Sequence, residues 1–131
     1  MKNTLTTISK SLLALHRRFL ENERLEAEKI QGRKLSPFDF LRLLTQDPEF
    51  KWLQPFSALI VEIDTFVDEA PVISDADVLR IKNQVDFVLK QPKIAERYQY
   101  YIAHDPQFIP LHSNLTQLLA VTQEENKKLG H

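Results

Sequence analysis

Three side chains near the N-terminus carry donors suited to a divalent cation. His16 sits in the apolar stripe of a predicted first helix, and Glu23 and Glu26 continue that face. An imidazole with two carboxylates is a reasonable metal-binding set if other helices add ligands. None of the four His has a Glu three residues before it, so the Glu-x-x-His pair of dimetal helical bundles is missing. The reading with fewest demands makes His16 a partly buried, hydrogen-bonded imidazole and makes Glu23 and Glu26 part of a solvated helix end. A later helix carries Glu62, Asp64 and Asp68. On a helical wheel Glu62 and Asp64 flank opposite sides of the apolar face, which is unfavourable for sharing one ion.

Nucleophilic chemistry finds less support. The chain has no Cys, which excludes disulfides, zinc fingers and iron–sulfur clusters. It has no Gly-x-Ser-x-Gly elbow and no Gly-rich phosphate loop. His112 and Ser113 are adjacent, but sequence neighbours on a helix point apart. Two basic groups occur: Arg17, Arg18, Arg24, Arg33 and Lys34 early, then Lys90, Lys93 and Arg97, these last near Tyr98, Tyr100 and Tyr101. Such mixtures bind single strands. Here acids interleave them and the net charge is −1, so they read as solvated faces, with neither a nucleic-acid partner nor a cofactor expected.

The elements that would position these groups read as helices throughout. The chain has 131 residues, enough for one domain with a real core. It contains two Gly and seven Pro, and its apolar residues recur at helical spacing. The expected fold is all-α, a single compact bundle of five to six helices over residues 1–131. A long first helix is predicted over 3–31, with Gly32 as its C-cap and Leu5, Ile8, Leu12, Leu15 and Phe19 as its stripe. Its second half is mostly polar and is expected to lie partly outside the bundle or to meet a partner.

The remaining helical core spans 36–129. Ser36-Pro37 and Ser74-Asp75 are helix starts, each with Asp three residues on and with Leu35/Phe40 and Ile73/Val78 as hydrophobic staples. Pro55 opens a helix that Pro71 stops, Pro92 ends or kinks another, and Leu111, Leu115, Leu118 and Val121 line the last. A weak internal repeat relates 38–60 to 96–118 through Asp47-Pro-x-Phe-x-x-Leu53 and Asp105-Pro-x-Phe-x-x-Leu111.

Two resemblances follow. The carboxylates Glu23, Glu26, Glu62, Asp64 and Asp68 resemble those of all-α nucleotide pyrophosphohydrolases of the MazG type. That resemblance implies Mg²⁺ on a polyphosphate, although the doubled Glu-Glu-x-x-Glu and the second-helix Glu-x-x-Asp are absent. The segment with Asp47, Pro48, Phe50, Trp52, Leu53, Pro55, Ser57, Leu59, Ile60 and Val61 resembles a family of small bacterial all-helical hypothetical proteins. It covers about a quarter of the chain and implies a bacterial, cytoplasmic helical domain without adding a catalytic residue.

The leading functional expectation is a non-enzymatic protein-interaction or regulatory module. Its expected contact residues are Leu12, Leu15, Phe19, Trp52 and Tyr100, together with the Glu21–Glu28 segment, in a homodimer seam or against a protein partner. A small-ligand or metal-binding helical protein is the alternative, and a Mg²⁺-dependent pyrophosphohydrolase the third. No run is long and apolar enough for a signal peptide or a membrane span, so a cytoplasmic location without membrane association is expected.

Overall fold

Helix-compatible spacing of apolar residues, punctuated by Pro and capping Ser and Asp, produces six α-helices among the described residues. The computed structural model describes residues 2–130, with side chains through Ala120. The helices are α1 (Lys2–Gln31), α2 (Pro37–Gln46), α3 (Gln54–Glu69), α4 (Asp75–Leu89), α5 (Pro92–His104) and α6 (Phe108–Gly130). A 3-10 segment, Pro48–Leu53, joins α2 to α3. No strand occurs among the described residues. Val121, read above as part of the last helix's stripe, has its side chain outside the described residues.

The starts and stops follow local chemistry. Ser74 and Asp77 form a reciprocal capping box: the Asp77 N–H donates to Ser74 Oγ and the Ser74 N–H to Asp77 Oδ2. At Ser36 only the forward bond forms, from the Asp39 N–H, so the predicted box is half made. α1 ends at Gly32, whose φ of 68° and N–H bond to the Glu28 carbonyl make a left-handed cap. Both Asp-Pro-x-Phe units fold alike at first. Asp47 and Asp105 each accept the N–H two residues on and, through the carbonyl, that of the Phe three residues on. They then diverge, since the first unit continues as a 3-10 turn and the second enters α6 directly.

α1, about 45 Å long, is the axis on which α3 and α6 pack. Leu5, Ile8, Leu12, Leu15 and Phe19 have no exposed surface. Phe19 is the hub of an aromatic cluster, with ring centroids 5.2 Å from Tyr101, 5.6 Å from Phe56 and 6.1 Å from Trp52. This corrects the expectation that Leu12, Leu15 and Phe19 form a surface seam. The stripe is already covered by α3, α5 and α6 of its own chain, so no second copy can reach it while the domain is folded.

A second correction concerns the polar half of α1. Instead of projecting, it is docked: Asn22, Glu23 and Ala27 are buried. Ala27 joins Leu35 and Phe40 in a small satellite core beneath α2. The charged neighbours are buried because they find partners on α5 and at the α5–α6 corner.

Candidate functional site

The three residues expected to share an ion are divided among separate environments. His16 is buried, its ring edge against Phe56 (centroids 4.7 Å) and its Nε2 3.2 Å from Ser57 Oγ. Burial alone holds its pKa down, at about 4, so the imidazole is neutral at pH 7. Glu23 is turned toward α5, where its Oε1 accepts from Arg97 Nε at 2.9 Å and from the Tyr101 hydroxyl at 2.5 Å. Glu26 pairs with Lys29 at 3.5 Å on the helix surface. Glu23 and Glu26 do share a small cleft with Glu49 and Glu96. Even so, no group of three or more ligating side chains is gathered among the described residues. Of the second carboxylate set, Asp64 accepts from Ser9 on α1 while Glu62 faces α4, so the two are separated as the wheel implies.

The charged end of α1 is fixed by two buried ion networks that sequence spacing alone does not reveal. In one, Glu23 holds Arg97. Burial pulls that guanidinium's pKa down, and the hydrogen bond and charge of Glu23 reverse the effect and leave it raised. Tyr101 bridges the pair by accepting from Arg97 at 3.0 Å, and burial followed by its bond to Glu23 raises the phenol pKa. In the other, Asp105 receives four donors: Arg18 Nε at 2.7 Å, the second Arg18 nitrogen at 3.0 Å, Asn22 Nδ2 at 2.8 Å and the Gln107 N–H at 3.0 Å. A carboxylate has about four acceptor positions, so Asp105 is saturated. The Arg18 hydrogen bond leads the effects that hold its pKa near 2.

Two larger surface features occur among the described residues. The first is a groove of about 690 Å³ between α3 and α4. Its floor is Leu59 and Val88, and small Ala58 and Ala76 keep it open. Leu79 (41% exposed) and Phe87 (70% exposed) stand in its wall, and Val61 lies on the neighbouring face of α3. Sequence reading missed Phe87 as an exposed apolar residue. The signal was available, because Phe87 falls outside the Val78–Ile81–Val85–Val88 stripe.

The second feature is a cleft of about 550 Å³ where the end of α1 and its following loop face the end of α5. It brings Arg33 and Lys34 of the early basic group together with Tyr100 of the aromatic group. Tyr100 is exposed, as expected, while Tyr98 and Tyr101 are buried. Trp52 is half-buried against Phe19, with the Lys93 ammonium 5.8 Å from its ring centre, so most of its surface already has a partner within the chain.

No helix among the described residues is long and apolar enough to cross a membrane. Compared with protein-family models, with curated proteins and with solved structures, the chain matches none of them.

Proposed function

We propose that this protein is a helical interaction module that receives a basic amphipathic helix of a partner protein in the α3–α4 groove. The observation that carries this reading is the groove itself, an apolar trough with Leu79 and Phe87 exposed along it. Large exposed apolar side chains gathered in one concave patch mark interaction sites, whereas scattered ones do not. From Ala76 to Val88 the groove follows α4 for about 18 Å, the length of roughly three helical turns. An occupant would insert apolar side chains at i, i+3/i+4 and i+7, as helix-in-groove ligands do.

Charge argues for a basic occupant. Residues 54–90, the hairpin around the groove, carry seven carboxylates against three cations, while the groove lining itself holds one of each, Glu62 and Arg80. Arg80, the cation in the groove wall, is engaged over the Phe66 ring, 4.9 Å from its centre. Groove-to-groove pairing of two copies would set like-charged hairpins against each other, which disfavours a symmetric dimer through this face. Neither a metal-binding nor a pyrophosphohydrolase reading has a comparable observation, because His16, Glu23, Glu26 and Asp64 are each committed to other partners.

The test uses a labelled Leu/Lys amphipathic peptide and its Leu/Glu counterpart, followed by fluorescence anisotropy. The Lys peptide should bind saturably. The double substitution Leu79→Glu, Phe87→Glu should weaken it by about 30-fold, the effect of removing one hot spot. Both residues are solvent-exposed, so the melting temperature should be nearly unchanged. Equal binding of the Lys and Glu peptides, or undiminished binding by the double variant, would refute the proposal.

A further inference from the structure

The cleft between the ends of α1 and α5 combines a fixed flat ring with unpaired cations. His104 stacks on Tyr100, with centroids 4.1 Å apart and ring planes 20° from parallel. Its Nδ1 lies 2.8 Å from the Tyr100 carbonyl oxygen, which only accepts, so Nδ1 carries the proton and donates. That bond fixes the ring orientation. Arg97 is also placed at the Tyr100 ring, its guanidinium carbon 5.5 Å from the ring centre. The result is an ordered stack whose last ring, on exposed His104, is open to a further flat group.

The charges around that stack are unequal in how far they are satisfied. Each acid of the cleft is occupied. Asp105 is saturated by four donors, Glu28 accepts from Arg24 and from the Leu35 N–H, and Glu26 pairs with Lys29. Arg33 and Lys34 have no such partner among the described residues, and both are exposed on the cleft wall. Gly32 turns the chain directly before them, which directs this dibasic step back over the cleft. An anion entering the cleft therefore meets two uncommitted cations, while the carboxylates nearby are neutralised by their own partners.

We propose that this cleft binds a mononucleotide, the base lying on the open face of His104, which Tyr100 backs, and the phosphate held by Arg33 and Lys34. A flat ring joined to a phosphate is the ligand class that uses both halves of the site, and a volume of about 550 Å³ is sufficient for it. Stacking on His is tolerant of base identity, since every base has a π-face. Arg33 supplies a planar fork for phosphate oxygens and Lys34 a mobile point charge. The site is separate from the α3–α4 groove, and the two proposals stand or fall independently.

Isothermal titration of the full chain with AMP, GMP, CMP and UMP, alongside adenosine and inorganic phosphate, tests it. Saturable binding of a nucleoside monophosphate is expected, with adenosine and phosphate each weaker by about tenfold or more because each engages half of the site. His104→Ala, and separately the pair Arg33→Glu with Lys34→Glu, should each lower affinity by a similar factor while leaving the melting temperature in place. Affinity should also fall as salt rises. Three outcomes would overturn the proposal: no saturable binding of any nucleotide at millimolar concentration, phosphate binding as tightly as AMP, or AMP binding undiminished in both variants.

Discussion

His16 makes the stability of this fold sensitive to mild acid. Its imidazole is buried between α1 and α3, with one weak hydrogen-bond partner in Ser57 and only burial acting on its pKa. The folded pKa is about 4, and an unfolded His titrates near 6.5. The folded state therefore refuses a proton that the unfolded chain accepts. Above pH 6.5 neither state is protonated at this site and its full stability is present. Below pH 6.5 the unfolded state gains a proton, and stability falls until the folded group titrates near pH 4. Linkage gives a loss of about 0.8 kcal/mol at pH 6 and about 2 kcal/mol at pH 5. Against a total of about 5–15 kcal/mol for a domain, the second figure is large.

Urea unfolding at pH 7.5, 6 and 5, followed by circular dichroism, reads this directly when wild type is compared with His16→Gln. Gln keeps a hydrogen-bonding group near Ser57 and cannot titrate. The variant should be less stable at neutral pH and should lose less stability on acidification, so that the two curves converge toward pH 5. Parallel curves would mean that His16 is solvated in the folded protein, and the burial argument would fail.

Two further outcomes follow from the α1 contacts. Glu23→Leu leaves the Arg97 guanidinium part-buried without its carboxylate, and should cost about 2–3 kcal/mol in urea unfolding. Adding Arg97→Leu should recover part of that loss, and a double variant as unstable as the sum of the two single changes would show that the pair does not interact. Gly32→Ala meets no steric neighbour but forces a β-carbon into a left-handed turn, so it should lower stability by about 1 kcal/mol. Gly32→Asn should lower it less, and equal losses for the two would disprove the strain argument.

Local signals were legible in the sequence and distant pairings were not. Gly32, the Ser74 box and the Pro stops placed helix ends within a residue or two, because caps act over one turn. The Leu5–Phe19 stripe announced a buried face, but a stripe does not say whether its cover comes from the same chain, so the seam reading failed. The Asn22–Ala27 segment was misread for a different reason. Charged residues default to solvent unless a partner is known. Arg97 is 74 positions from Glu23, and Asp105 is 83 from Asn22. The nucleotide cleft was half legible: both basic groups and the tyrosines were visible, but only the docking of α1 against α5 put them together.

The placement of α1 also sets an order of events during synthesis. Its stripe is made before α3 to α6, yet its covers include α6, whose buried residues begin at Phe108. The α3–α4 hairpin has short loops and can form as soon as it is made. α1 cannot dock fully until most of the chain is available, so Leu5, Ile8, Leu12, Leu15 and Phe19 must wait uncovered. Until then the growing chain carries an apolar helix face that its own later helices have not yet covered.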